Sequence, residues 1–312
     1  MDTWSVLTAL APSPVQALRA PLLEEKGIQL LVKRDDLLYM EVEPGDFAFC
    51  GNKWRKLKYN LLEARDNGYT HLCTFGGAFS NHIAACAAAG VLFGFRTSGI
   101  IRGELHQPLN PTLAFAQRCG MSLHYIDRER YRQKNTSNIP AELGLLDSET
   151  YILPEGGTNH LALRGCQELA TELYEQCQPD ACAVSCGTGG TLAGLIQGLQ
   201  GRAELIGFPA LKGNFMEEEI QHILPTDQLK YTGRWRIEPH YHFGGYARDT
   251  PELRAFIRQF HQIHGIPLDM VYTAKLFFGL LDLIEKDFFP RGSTICAIHT
   301  GGLQGNAGKS LF

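Results

Sequence analysis

The stretch SCGTGGTLAGL, residues 185–195, closes the apolar run ACAVSC (181–186) and opens another apolar run after Gly190. An apolar strand that passes through small residues into a helix leaves the first-turn amides of that helix without carbonyl partners. Gly187, Gly189 and Gly190 let the chain approach a ligand closely, while Thr188 and Thr191 add hydroxyls. A helix N-terminus favours an anion, so the turn is read as a phosphate site. A glycine turn kept only for packing is the competing reading. Two nucleotide sites fail on spacing: no Gly-Lys-Ser/Thr ends the turn, and Leu192 stands where a dinucleotide fingerprint needs its third glycine.

Outward from this turn, apolar strand-like runs alternate with segments of helical spacing, the rhythm of an α/β protein. LLVK (30–33) reads as a strand, and Leu57, Leu61 and Ala64 mark a helix that ends at Gly68. HLCTF (71–75) is the next strand, and Ser80 stands as the N-cap of IAACAAAG (83–90). FRTSGII (95–101), the helical segment 109–119 and LHYI (123–126) continue the alternation. The rhythm restarts with YIL (151–153), a helix over about 160–178, ACAVSC, the helix after Gly190, and ELIGF (204–208). Residues 128–138 and 230–249 lack periodicity and read as loops. No repeat and no flexible linker separates the two units, so they are expected to interweave. The expectation is a three-layer α/β protein with open sheets in two domains. Residues 1–54 plus 162–312 would form a large domain, 55–161 a small inserted one, with the ligand in the cleft at the carboxyl ends of the strands.

The 312 residues suffice for two such domains, and 44% hydrophobic with 20% charged residues excludes a disordered or collagen-like chain. The 29 basic and 33 acidic side chains leave a net charge of -4, which provides no broad field for nucleic acid. Nine cysteines without a CxxC pair indicate neither a disulfide framework nor a zinc knuckle. No metal site is expected: His240 and His242 flank Tyr241 with no carboxylate or cysteine at a matching spacing, and Cys182 and Cys186 read as core. The N-terminal stretch MDTWSVLTALAPSP carries no basic segment, and the longest apolar run, 83–95, is too short to span a bilayer. A cytoplasmic protein acting on a small molecule is expected.

A phosphate outside the nucleotide classes points to a phosphorylated cofactor, and pyridoxal phosphate is the natural candidate. That cofactor requires a lysine. Among eleven lysines, Lys53 stands at a helix entrance behind Phe49, Cys50, Gly51 and Asn52. The positive helix end, Arg55 and Lys56 would lower its pKa and favour the neutral amine that attack on a carbonyl needs. A solvated helix lysine is the plainer reading of KWRKLK (53–58) taken alone.

The strings KRDDL (33–37), GNKWRKL (51–57), GGAFSNH (76–82), PEGGTN (154–159), SCGTGGTLAGL, GGYA (244–247), DMVYTAK (269–275) and HTGG (299–302) run in order along the chain. In order and spacing this set resembles the pyridoxal-phosphate enzymes grouped as D-cysteine desulfhydrases and 1-aminocyclopropane-1-carboxylate deaminases, of the tryptophan-synthase-β-like fold type II. The resemblance implies pyridoxal 5'-phosphate as cofactor, a small amino-acid substrate, no nucleic-acid or membrane partner, and a homodimer. By position it makes Lys53 the lysine that carries the cofactor and Asn81 the partner of the cofactor's ring oxygen. Ser80 would face the substrate carboxylate or α-carbon, and Lys56 would reach the phosphate beside Gly187, Thr188, Gly189, Gly190 and Thr191. Tyr246 and Tyr272 match the family's two active-site tyrosines, with Ala247 and Met270 departing from the usual strings. His82 is expected to support the loop rather than act in the chemistry.

Within that family, the residue after the second tyrosine and the residue before the terminal Gly-Gly separate the two branches. Here they are Thr273 and Thr300, as in the desulfhydrases. The resemblance thus implies that Thr300 offers a neutral hydrogen bond to the cofactor's ring nitrogen. Such a site favours β-elimination of a D-amino acid such as D-cysteine to pyruvate, sulfide and ammonia. Deamination of 1-aminocyclopropane-1-carboxylate is the alternative, and an inactive cofactor-binding homologue is the non-enzymatic one.

Overall fold

A computed structural model describes residues 2–9, 12–224, 227, 234–248, 250–309 and 311. The apolar runs form strands of two parallel sheets. The first sheet runs in the order β1 (Val15–Ala17), β2 (Gln29–Lys33), β12 (Thr294–Ile298), β9 (Ala181–Cys186), β10 (Glu204–Pro209), β11 (Trp235–Ile237), with only β1 antiparallel to its neighbour. The second runs β7 (Ser122–Ile126), β6 (Arg96–Arg102), β5 (His71–Gly77), β8 (Thr150–Leu153), all parallel. A short antiparallel pair, β3 (Tyr39–Met40) and β4 (Phe49–Cys50), links them.

Helices cover the sheets: α1 (Thr3–Thr8), α2 (Pro21–Lys26), α3 (Gly51–Asp66), α4 (Asn81–Phe93), α5 (Pro111–Arg118), α6 (Arg128–Arg132), α7 (Ile139–Glu142), α8 (His160–Gln176), α9 (Gly190–Leu199), α10 (Met216–Ile223), α11 (Pro251–His264) and α12 (Thr273–Glu285). Ser80 caps α4 as read from the sequence, its Oγ accepting from the Ile83 amide at 3.3 Å. The alanine-rich α4 is buried from His82 to Gly90, which its small apolar residues on every face permit. Asn159 caps the amphipathic α8, which packs between α3 and α9. Gly165 makes the close approach of α8 to α3 possible, since a Cβ there would stand 1.9 Å from the Arg55 carbonyl oxygen.

Three readings of the sequence are corrected. YIL does not begin the second unit: β8 pairs with β5 and closes the first unit's sheet. Parallel neighbours require a crossover, so chain order does not reveal sheet order. Residues 128–138 are not a continuous loop, because Asp127 Oδ1 caps the amides of Glu129 and Arg130 and starts α6. Within 230–249, Trp235–Ile237 pairs in parallel with β10, while 230–233 and 249 lie outside the described residues. The strand TICAI (294–298), unremarked in the sequence, sits between β2 and β9. Its five residues include four that are fully buried, so no alternation betrays it.

Candidate active site

The carboxyl ends of β5, β6 and β8 face those of β9 and β12 across a cleft of about 460 Å³. Lys53, Lys56, Ser80, Asn81, the turn 187–191, Tyr246, Tyr272 and Thr300 all line it, so every site residue expected from the sequence is brought to one place.

Helix α3 begins under β12. Gly51 has φ +56, and a Cβ there would stand 2.2 Å from the Thr300 carbonyl oxygen, so only glycine fits. The Asn52 amide donates to that same oxygen at 3.2 Å, and its Nδ2 donates to Thr191 Oγ1 at 3.2 Å, tying the start of α3 to the start of α9. Lys53 then faces the cleft and makes no hydrogen bond or ion pair among the described residues. Burial holds its ammonium below the usual 10.5. The expected role of Arg55 in that shift is corrected: its guanidinium points away from the cleft into a buried ion cluster. There it bonds both Asp35 oxygens at 2.7 and 2.8 Å and both Glu172 oxygens at 2.8 and 2.9 Å. Burial alone would raise the Asp35 carboxyl, yet Arg55 and Ser13 hold it below the ordinary 3.8. Lys33 joins the cluster through Glu172 at 2.6 Å, so β2, α3 and α8 are locked beneath the two cleft lysines.

Lys56 is 1% exposed, and its Nζ donates to Thr158 Oγ1 at 2.7 Å and Thr188 Oγ1 at 3.4 Å. Burial first and Lys53 second push its ammonium well below 10.5. The glycine turn lies against it: a Cβ on Gly190 would stand 3.0 Å from Lys56 Nζ and 2.8 Å from Thr158 Oγ1. Gly189 adopts φ +77 as the N-cap of α9, and no side chain caps the first turn.

On the opposite wall, the Asn81 amide lies against the last glycine pair, where a Cβ on Gly302 would stand 2.8 Å from its Nδ2. His82 is buried, and its Nε2 meets Thr74 Oγ1 at 2.8 Å. The Thr74 hydroxyl donates to the Leu153 carbonyl at 2.9 Å, so Nε2 carries the histidine proton and Nδ1 is free of it. Burial, then Lys53 and Lys56, keep His82 well below 6.5, so it is a neutral support packed on Gly157.

The Tyr246 hydroxyl donates to the Phe79 carbonyl at 3.1 Å, reaching across the cleft to the turn that precedes α4. Its ring meets that of Tyr272 edge-on at 6.1 Å. Burial raises both phenols above 10, and the adjacent Tyr246 pushes Tyr272 further. Tyr272 lies over Gly187, where a Cβ would stand 3.2 Å from its hydroxyl. Thr273 does not line the cleft. Its Oγ1 donates to Asp269 Oδ1 at 2.7 Å, while Asp269 also accepts from the amides of Val271, Tyr272 and Thr273. Asp269 thus fixes the entry to α12, a role that the string DMVYTAK hid because an isolated aspartate before a helix is an ordinary cap. His242 Nδ1 accepts from the Gly244 amide at 2.9 Å, and among the described residues no cluster suited to a metal ion is present.

A family model described as pyridoxal-phosphate dependent enzyme matches residues 6–301. The chain belongs to the pyridoxal-phosphate-dependent enzymes. Among proteins similar to it, a bifunctional D-cysteine desulfhydrase/1-aminocyclopropane-1-carboxylate deaminase of Arabidopsis thaliana is 31% identical over 94% of this chain and 77% of its own length. A D-cysteine desulfhydrase of Klebsiella pneumoniae (strain 342) is 27% identical over 94% of this chain and 92% of its own. The solved structure of an ACC deaminase homologue superposes with a TM-score of 0.75 at 27% identity, covering 97% of this chain and 96% of that one.

The walls of this pyridoxal-phosphate-dependent enzyme fit the cofactor. Lys56 is a buried cation whose bonds, among the described residues, go only to neutral hydroxyls; a phosphate dianion would satisfy it together with the uncapped first turn of α9. Ser185 Oγ is buried without a partner among the described residues and belongs to the cleft wall at the end of β9, in the strand next to that leading to Thr300. A buried hydroxyl with no partner is costly unless a ligand supplies one. Sequence reasoning missed Ser185, Thr158 and Arg102, which also line the cleft; Ser185 was visible only as one more residue of an apolar strand.

Proposed function

We propose that this enzyme eliminates the β-substituent of a small D-amino acid, with D-cysteine as the reference substrate giving pyruvate, sulfide and ammonia. The observation that carries the reading is the neutral character of the inner wall. Thr300 and Ser185 offer hydroxyls there, while Asp269 is spent on its own capping bonds. The two acids in the lining, Glu155 and Glu219, are respectively paired with Lys134 at 3.2 Å and exposed to solvent.

When bound, the cofactor delocalises the electron pair left at the substrate's Cα. Lys53 would hold the cofactor through Nζ, and its amine, whose pKa burial has lowered, would take the proton from Cα. The first-turn amides of α4, with Ser80 at its cap, bind the substrate carboxylate. Asn81 would hold the ring oxygen, and Lys56 with the turn 187–191 would hold the phosphate. Thr300, which lines the cleft, would offer a neutral hydrogen bond to the cofactor's ring nitrogen, and that makes for a shallow electron sink. A thiolate, a good leaving group, tolerates that sink better than a ring carbon does, which favours elimination over ring opening. Tyr246, held by Phe79, protects the departing sulfur from solvent and hands it a proton, while Tyr272 stands edge-on beside it.

The division into 1–54 plus 162–312 and an inserted 55–161 belongs to the same proposal, supported by the strand order, since the four-stranded sheet draws only on 71–153. So do the homodimer and a cytoplasmic location, the latter supported by nine free cysteines in the structure. Among the described residues, no helix is long and apolar enough to cross a membrane. Sulfide and 2-oxoacid release from D-cysteine, L-cysteine, D-serine and 1-aminocyclopropane-1-carboxylate, measured side by side, tests the reaction. D-Cysteine is expected to be turned over at least tenfold faster than the cyclopropane. Faster ring opening would overturn the reading, activity confined to L-cysteine would refute its stereochemistry, and no turnover of any would leave a binding protein.

A further inference from the structure

Lys275 lies outside the chemistry described so far. It is 2% exposed on the first turn of α12, three residues after Tyr272, and no carboxylate pairs with it among the described residues. Its Nζ donates instead to the Gly245 carbonyl at 2.8 Å and the Ala210 carbonyl at 3.4 Å. Gly245 immediately precedes Tyr246, and Ala210 follows β10 just before Leu211 of the cleft wall. The segment it grips is not self-supporting: Phe243 and Ala247 sit at φ +51 and +54, a conformation that costs a side chain on the order of 1 kcal/mol. A buried ammonium is itself expensive to keep, so its retention against two carbonyls calls for a reason.

We propose that Lys275 is a positioning residue that holds Tyr246 in the cleft through the Gly245 carbonyl, so that catalysis depends on Lys275 by way of Tyr246. The proposal rests on the reading that Tyr246 touches the substrate. One ammonium then fixes both tyrosines relative to each other, because it stands on the helix whose N-cap is Tyr272 and grips the loop that carries Tyr246. Burial lowers this lysine to about 8, against the weaker upward pull of Asp269, consistent with a cation that lacks a paired anion.

A double-mutant cycle on the cofactor-loaded enzyme decides the matter: the parent, Tyr246→Phe, Lys275→Met and the double variant, with kcat and KM for D-cysteine. Lys275→Met is expected to lower kcat about tenfold or more with KM changed less than about threefold. In the Tyr246→Phe background the same substitution should cost less than about threefold. Lys275→Gln, which keeps a donor for the carbonyl, should recover most of kcat, and Lys275→Ala, which removes the donor, carries the cycle should the methionine variant fail to fold. Equal losses in both backgrounds, or an unchanged kcat in the single variant, would overturn the proposal. Hydrogen exchange supplies a readout independent of turnover. Amides of 243–247 should exchange at least tenfold faster in Lys275→Met while those of α9 are unchanged. No change there sinks the positioning role, whereas changed exchange in a protein that releases no sulfide sinks the assigned reaction alone.

Discussion

The two ends of the cleft are built on different principles. At the end proposed to hold the phosphate, five consecutive residues, 187–191, pass from β9 into α9, and the groups they offer are chiefly backbone amides supplied by any helix start. At the tyrosine end, Tyr246 comes from an irregular loop with two non-glycine residues at positive φ, Tyr272 from the entry to α12, and the two are brought together by Asp269, Lys275 and the Phe79 carbonyl. The first end is preorganised largely by local sequence, with Lys56 the charged side chain brought to it from α3. The second depends on long-range side-chain bonds, so it is where substitutions can retune the reaction without dislodging the cofactor.

Lys53 lies between the two ends, and its removal breaks both. Lys53→Ala is expected to lower turnover at least about a thousandfold and to abolish the visible absorbance of the bound cofactor. Borohydride reduction and peptide mapping of the parent should place the pyridoxyl group on Lys53; an adduct on Lys56 would reverse the roles of the two lysines. Next in size, Gly51→Ala attacks the seat of both lysines. A Cβ there would meet the Thr300 carbonyl at 2.2 Å with φ at +56, so neither backbone nor neighbour can yield cheaply. The expected loss is about 2–3 kcal/mol of stability, read from the urea midpoint, and a loss under about 0.5 kcal/mol would show that β12 shifts to make room.

Lys56→Met sharpens the comparison by touching the phosphate end alone. Cofactor affinity, measured by titrating the apoenzyme, should weaken about tenfold or more, while kcat at saturating cofactor stays within about threefold of the parent. An unchanged affinity would mean that the amides of α9 suffice, and a collapse of kcat would mean that the two ends are not independent.

The contrast also explains what could be read from the chain. Gly187 to Thr191 and Ser80 were legible because each follows an apolar strand and opens a helix, a pattern that places a residue at a known point of an α/β unit, whereas Asn81 was legible only through its string. Lys53 and Lys56 were legible only through their string, since a lysine on a helix is ordinarily solvated. Tyr246 and Tyr272 carried no physical signal of their own. The contacts that fix them lie far apart in sequence: Tyr246 with Phe79, and Lys275 with Gly245. Ser185 was hidden for the opposite reason, because a serine in a buried strand is expected to find a partner, and only the structure shows that it has none among the described residues. Sheet membership failed in the same manner at β8, whose neighbour β5 stands far upstream.

The smallest expected effect is a pH dependence of stability that belongs to the tyrosine end. Lys275 is held at about 8 in the folded protein, chiefly by burial, against 10.5 in an open chain. Between those values the unfolded chain binds a proton that the folded protein does not, so raising the pH favours the fold. The contribution of this group is therefore greatest above pH 10.5 and is lost as the pH falls through 8. Lys275→Met removes the titration and leaves every other group in place, so subtracting its melting temperature from that of the parent isolates the effect. The difference should move in the parent's favour by a few degrees between pH 8 and 10.5 and stay flat between pH 6 and 7.5. A flat difference across the whole range would show that water reaches Lys275, and a slope of opposite sign would show that a nearby anion, with Asp269 the first candidate, raises its pKa.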